Sequence, residues 1–306
     1  MIITAANANL HKAKIEKNDE FYTQLTDVSK ELMHYKEHFK DKVIFCNCDD
    51  PTWSAFWKYF HLNFSALGLK KLISTHYDKT EPTYKIEYTG GDDDNIESGV
   101  KTPLEGNGDF RNQECLNLLD EADIVVTNPP FSLAREYLAC LVKHGKKFLI
   151  IGDMNWITYK EVFPLLKDNK IWLGNCSVKE FIQPDGSIKK FGNKLWFTNL
   201  DHKKRHEKLI LWKNYTPEEY PTYVNYDAIN VDKIADIPMD YYEAMGVPIT
   251  FIDKFNPEQF EIIGADFDLA EPIKLDNGKI GTGRFYVTRE KGRERLYSRI
   301  VVRRKI

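Results

Sequence analysis

Ala122-Asp123-Ile124-Val125-Val126-Thr127-Asn128-Pro129-Pro130-Phe131 decides the fold. Ile124 to Thr127 form an unbroken apolar or β-branched run. It lacks the alternation of a half-solvated strand and predicts one buried on both faces, as in a parallel sheet. Two consecutive prolines then stop the strand, because they fix the backbone and offer no N–H to a ladder. Leu133 to Val142 follows with helical spacing, and Gly145 marks its end.

The same alternation extends in both directions. Upstream, Asn112 to Leu119 predicts a helix; downstream, Lys147 to Ile151 predicts a strand and Tyr159 to Leu166 a helix. Nearer the N-terminus, Val43 to Cys46 and Lys71 to Tyr77 read as strands flanking an aromatic-rich helix, Trp53 to Phe64. Tyr84 to Tyr88 adds a hairpin strand before the loop Gly90 to Asn95, whose run Asp92-Asp93-Asp94 reads as exposed. Asn18 to Lys40 reads as mostly helical. Strands and helices alternating at these lengths predict an α/β fold, a parallel sheet with helices on both faces. After residue 173 the character changes. Phe181–Gln183, Leu195–Phe197, Leu209–Trp212, Phe260–Ile263 and Ile300–Val302 read as strands between long polar loops. Residues 1–173 are therefore expected to form one domain and 174–306 a second, irregular α+β part.

The chain of 306 residues is 42% hydrophobic and 29% charged, which suits a packed globular protein. No run of about 18 apolar residues exists, so no membrane-spanning helix is expected. Met1 to Lys17 has no apolar signal core, and the five cysteines are odd in number. A reduced, cytoplasmic protein without a disulfide framework or metal site is the expectation. Charge is uneven: residues 1–100 hold 12 basic against 16 acidic residues, whereas residues 284–306 hold 9 against 2. A concentrated basic end is the footprint of a polyanion binder, although a solvated surface gives the same pattern.

Position gives the Asn-Pro-Pro turn its chemistry. In open α/β sheets, ligands bind beyond the carboxyl ends of the strands. A turn stiffened by two prolines would present the Asn128 side-chain carbonyl and a backbone carbonyl at fixed separation. Two such acceptors can grip both protons of an exocyclic NH2 group.

Asn128-Pro129-Pro130-Phe131 resembles the signature of S-adenosylmethionine-dependent methyltransferases that act on exocyclic amino nitrogens. Asp19-Glu20-Phe21-Tyr22-Thr23, Val43 to Pro51, Gly108-Asp109-Phe110, Pro248 to Phe251 and Arg299 to Lys305 are similar to segments of the EcoRI-type adenine modification methyltransferases, in that family's order. The resemblance covers essentially the whole chain. It implies a Rossmann-like methyltransferase sheet, S-adenosyl-L-methionine as cofactor, double-stranded DNA as substrate and a restriction–modification role, with a cognate endonuclease as possible partner. The irregular C-terminal part becomes the expected DNA-recognition part.

The resemblance also distributes roles. Asn128 and the Pro129 carbonyl would hold the amine, Pro130 would stiffen the turn and Phe131 would stack on a flipped adenine. Phe21, Tyr22 and Thr23 would close the methionine end of the cofactor. Asp49 or Asp50 would meet its ammonium group, although either also serves as a cap before the helix. Asp78 is the candidate ribose acid. Asp109 would accept from the cofactor adenine beside Phe110, and a turn aspartate is the competing reading. Arg293, Arg295, Arg299, Arg303, Arg304 and Lys305 are candidate phosphate contacts. Lys189, Lys190, Lys194, Lys203, Lys204 and Arg205 are candidate base readers, and His202 and His206 read as solvated surface. The same turn occurs in methyltransferases for RNA bases and protein glutamine, and a non-catalytic DNA-binding relative is a third possibility.

Overall fold

The computed structural model describes residues 22–48, 50–78, 82–183, 185–275, 278–290 and 292–306. Phe21 and Asp49 lie outside the described residues. By compactness the chain divides into two units. The first runs to Phe163 and takes in Ile171–His202; the second comprises Pro164–Lys170 and Lys203–Ile306.

The first unit is built on a nine-stranded sheet in the order β1-β8-β9-β7-β6-β2-β3-β4-β5. Its strands are β1 (Tyr22–Thr23), β2 (Val43–Cys46), β3 (Lys71–His76), β4 (Tyr84–Tyr88), β5 (Val100–Pro103), β6 (Ile124–Thr127), β7 (Lys147–Asp153), β8 (Trp172–Ile182) and β9 (Ile188–Thr198). The four central strands, β7, β6, β2 and β3, are parallel. Antiparallel strands complete both edges. As their continuous apolar sequences require, β2 and β6 are buried at every residue. The main helices are α1 (Leu25–Leu32), α2 (Ala55–Leu62), α3 (Gln113–Glu121) and α4 (Ala134–Lys143). Ser54 caps α2 by accepting from the Trp57 N–H at 3.1 Å. Gly145, at φ +60°, closes α4 in the left-handed conformation.

Chain order fixes where a ligand can sit. From β2 the chain moves to β3, β4 and β5, then returns to the other side of β2 as β6 and continues to β7. The direction therefore reverses between β2 and β6. The loops leaving these two adjacent strands open a crevice at the carboxyl rim, the position at which such sheets bind ligands.

Several expectations are corrected. The boundary near residue 173 does not divide the units, because β8 and β9 pair with β1 and β7 and complete the first sheet. Of the helix expected over 18–40, residues 18–21 lie outside the described residues; Tyr22–Thr23 is extended, and the rest is α1 followed by a single turn, Lys36–Phe39. Over 159–166, only Phe163–Lys167 is α-helical. Leu209 to Trp212 is not a strand: Ile210 and Trp212 are 88% and 63% exposed. There the Gln259 side chain accepts from the Leu209 N–H at 2.7 Å and donates to its carbonyl at 2.8 Å, substituting for a neighbouring strand.

Glu31 ties α1 to the sheet. Its carboxylate is fully buried and accepts from the Tyr35 hydroxyl at 2.8 Å and from the Asn175 and Cys176 N–H groups at 2.7 Å each. These amides lie in the part of β8 where the register with β9 shifts between Leu173 and Ser177. Burial and the neighbouring Glu31 push the Tyr35 phenol well above its ordinary range, so it remains a donor.

The second unit contains β10 (Ile229–Asn230), β11 (Met245–Pro248), β12 (Phe260–Ala265), the ribbon β13 (Ile273–Lys274) with β14 (Ile280–Gly281), the ribbon β15 (Tyr286–Arg289) with β16 (Gly292–Arg295), and β17 (Arg299–Arg304). Its four-stranded sheet runs β10-β11-β17-β12. Val301 and Val302 are buried at the centre, as the apolar run of β17 requires.

Candidate active site

The Asn-Pro-Pro-Phe turn leaves β6 at the crevice. Asn128 is 9% exposed, Pro129 is buried, and Pro130 and Phe131 are half-buried. The Leu133 N–H donates to the Pro130 carbonyl at 2.9 Å, turning the chain into α4. The turn is joined to the loop after β2: the Thr127 hydroxyl donates to the Asn47 carbonyl, and the Tyr137 hydroxyl donates to the Asn47 side-chain oxygen. Burial holds the Tyr137 phenol far above its ordinary range, which preserves that donor. Asn47, Thr127 and Tyr137 thus lock two rim loops together, a function the sequence reading missed. The Asn47-Cys48 segment and an aromatic six residues past Phe131 were the available signals.

The first-strand loop makes its turn without the usual glycine. Cys48 adopts φ +66°. Left-handed backbone costs a residue with a side chain about 1–2 kcal/mol. The two hydrogen bonds to Asn47 over-determine the conformation.

The expected cofactor residues separate into two groups. His76, Tyr77 and Asp78 end β3, and the Gly108-Asp109-Phe110 segment packs on them. Gly108 has φ +74°, and a Cβ there would lie 2.4 Å from the His76 carbonyl oxygen, so only glycine permits this approach. The Asp78 N–H donates to the Asn107 carbonyl at 3.2 Å. Phe110 is 7% exposed and meets Tyr137 edge-on at 5.0 Å. Asp109 is gripped by Arg111, whose Nε and terminal nitrogen lie 2.8 and 2.6 Å from its two oxygens. Asp50 does not cap helix α2, whose cap is Ser54, but closes a turn before it. It accepts from the Thr52 N–H at 2.9 Å and the Thr52 hydroxyl at 2.7 Å. The other Asp50 oxygen lies 3.0 Å from His76 Nδ1, off the line of a good hydrogen bond. Burial and Asp50 push the Tyr84 phenol up to about 12.

Tyr22 and Thr23 lie elsewhere, paired with Ile182 and Phe181 of β8. The Thr23 hydroxyl is buried and has no hydrogen-bond partner among the described residues, as has that of Thr75 next to His76. Unsatisfied buried hydroxyls cost about 1–3 kcal/mol each, so a ligand that meets them gains affinity. The rim beside β3 suits a polar cofactor: it offers the orphaned Thr75 hydroxyl, the close Gly108 approach and the buried Phe110, while the Thr23 hydroxyl stands apart on the β8 side.

Phe131 stands in an aromatic cluster. Its ring meets Phe181 and Phe191 at 6.0 Å each, at interplanar angles of 89° and 80°. Over one face lies the Lys194 ammonium, 3.8 Å from the ring centre. Lys194 is not the base reader expected: it is 5% exposed and paired with Asp153 at 2.8 Å. A desolvated cation over an aromatic face is worth about 2 kcal/mol.

Other expectations are revised similarly. His202 is buried, its Nε2 2.9 Å from the Leu173 carbonyl, and is not solvated surface. Asp93 is half-buried, accepting from the Tyr88 hydroxyl at 2.7 Å and the Ser65 N–H at 3.0 Å. Arg299 is 7% exposed, with Nε 3.2 Å from Asn230 and a terminal nitrogen 3.4 Å from Asp232, so it holds the second unit together internally. By contrast, Arg293, Arg295, Arg303 and Lys305 are exposed, and Arg304 is half-buried with its guanidinium over the Tyr242 ring. None of the five cysteines is joined in a disulfide, and no metal-binding cluster occurs among the described residues. No helix among them is long and apolar enough to cross a membrane.

The chain matches the family described as adenine-specific methyltransferase EcoRI over residues 9–305. It is 49% identical to the type II methyltransferase M.EcoRI of Escherichia coli, covering 91% of this chain and 95% of that protein. It is 36% identical to the type II methyltransferase M.MpnI of Mycoplasma pneumoniae, covering 96% and 98%. With M.MgeORF184P of Mycoplasma genitalium it shares 34% identity over 97% and 98%. No solved structure matches it.

Proposed function

The chain belongs to the EcoRI family of adenine-specific methyltransferases, and from that premise we propose how its own residues carry out the transfer. The substrate is an adenine in double-stranded DNA, the methyl donor is S-adenosyl-L-methionine, and the setting is a type II restriction–modification system in the cytoplasm with a cognate endonuclease. When bound, the donor supplies a methyl carbon already activated by a sulfonium. The single observation that carries the reading is the Asn128–Phe131 turn at the reversal point of the sheet, tied through Asn47 to the loop after β2. The family's adenine specificity sets the protein-glutamine reading aside.

An aromatic amine is a weak nucleophile because its lone pair is delocalised into the ring. The Asn128 side-chain oxygen and the Pro129 carbonyl accept hydrogen bonds from its two N–H groups and favour a more tetrahedral nitrogen. The remaining work is positioning, to which alignment of reacting atoms can contribute about 7–11 kcal/mol. The target base must leave the stack, and Phe131 receives it, base–aromatic stacking being worth about 1–3 kcal/mol. Phe110, Thr75 and Asp78 would hold the cofactor's nucleoside end. Tyr22 and Thr23 act from the β8 side, next to the base platform, and Asp50 shapes the first loop.

The second unit supplies DNA contacts through its exposed basic residues Arg293, Arg295, Arg303 and Lys305, with Arg304. Arg295→Ala is expected to weaken binding on all sequences and to lower the salt slope by about 1. Arg299→Met is expected to lower the melting temperature and leave that slope unchanged, because its charge is occupied inside the unit. Filter binding across a salt series, beside thermal melts, reads both.

The function is tested by offering tritiated S-adenosylmethionine with unmethylated duplex DNA, ribosomal RNA or release-factor protein, followed by nucleoside analysis. Label recovered as N6-methyladenine from DNA alone is expected. Label in RNA or protein, or at cytosine, would contradict the proposal.

A further inference from the structure

Lys194 is enclosed to a degree a surface lysine never is. Asp153 ends β7 and is paired in register with Lys194 on β9. Because Thr127 pairs with Ile150, Asp153 stands three residues beyond the end of β6, on the rim beside the Asn-Pro-Pro-Phe turn. Its carboxylate is saturated: Lys194 Nζ donates at 2.8 Å, the Asn193 amide at 2.9 and 2.8 Å, and the Asn155 N–H at 2.8 Å. The ammonium so held lies 3.8 Å from the centre of the Phe131 ring and 5.0 Å from that of Phe191.

We propose that Lys194, clamped by Asp153 and Asn193, is a positioning residue for methyl transfer: it holds one face of Phe131 so that the opposite face is presented to the flipped adenine. This rests on the reading of Phe131 as the base platform. The ammonium over one face of the ring is itself buried, whereas Phe131 is half-buried and keeps part of its surface accessible. Phe181 and Phe191 stand nearly at right angles to the ring, and the ammonium packs over one of its faces. A buried ion pair can generally be replaced by apolar residues without loss of stability, so fold alone does not require it. Its charge balance suits this reaction. Asp153 neutralises the ammonium, so neither a sulfonium cofactor nor the positive charge developing on the amine meets an unpaired cation.

The test uses the full chain, tritium transfer to unmethylated genomic DNA, and sinefungin binding by calorimetry. Lys194→Met is expected to lower kcat about tenfold, the size of a cation–π interaction of modest strength. KM for the cofactor and sinefungin affinity should stay within about twofold of the parent, since the cation faces the base platform rather than the cofactor. In a Phe131→Ala background the same change should cost nothing further, and Lys194→Arg should recover most of the rate. Multiplicative losses for the two single variants, or wild-type kcat for Lys194→Met, would overturn the proposal. Wild-type kcat for Phe131→Ala would instead remove the stacking reading beneath it. If methionine at 194 prevents folding, Asp153→Asn carries the test: kcat should fall, and a wild-type value would contradict the proposal.

Discussion

Asn128→Ala is expected to lower kcat for DNA methylation about 10²–10³-fold, the usual cost of deleting one preorganised polar contact to the reacting group. Asn128 is buried and its backbone is fixed on one side by the strand that Thr127 ends and on the other by two prolines. Truncation should leave sinefungin binding and duplex binding within about threefold of the parent, because the contact to the amine acts on the transferring step. Asn128→Asp keeps an acceptor at the same place and should be less impaired than alanine. Single-turnover kinetics at saturating DNA and cofactor separate this from a binding defect. A kcat within a factor of two of wild type for the alanine variant would remove Asn128 from the chemistry.

Glu31→Leu is expected to destabilise the first unit by about 3–5 kcal/mol, since its carboxylate satisfies two backbone amides and a phenol in a site with no exposure. Leucine fills the space but leaves those three donors buried and unpaired. Thermal unfolding should shift by roughly 10 °C for a unit of this size. Activity should fall as well, because the irregular part of β8 that Glu31 holds precedes Phe181, one wall of the Phe131 cluster. Glu31→Gln keeps one acceptor oxygen and should be milder. An unchanged melting curve for Glu31→Leu would show that the network contributes nothing net.

The elements that sequence disclosed were those with a local physical signature. Ile124 to Thr127 and Val43 to Cys46 are continuous apolar or β-branched runs, as a strand buried on both faces requires, and both stand in the parallel centre. The Asn-Pro-Pro turn was legible because proline acts on its own backbone. Cooperation between distant residues was not legible. Nothing local says that Asn47, Thr127 and Tyr137 meet, or that Lys194 turns inward: its neighbours Lys189 and Lys190 suggest a solvated strand, and only pairing with Asp153 buries it. Arg299 was hidden similarly. A basic run on β17 reads as one patch, and Arg299 and Arg303, four residues apart, share a face of the strand. Their local partners separate them: Arg299 is buried against Asn230 and Asp232, while Arg303 remains exposed and pairs with Glu261 at 3.2 Å. Leu209 to Trp212 had the composition of a strand without a strand to pair with.

A crystal structure of the full chain with sinefungin and a duplex carrying its methylation site tests the central claim most directly. The account predicts an adenine outside the duplex, stacked on the Phe131 face away from Lys194, its amino nitrogen about 3 Å from both the Asn128 side-chain oxygen and the Pro129 carbonyl. An adenine bound elsewhere, or an amino group out of hydrogen-bond reach of Asn128, would contradict it.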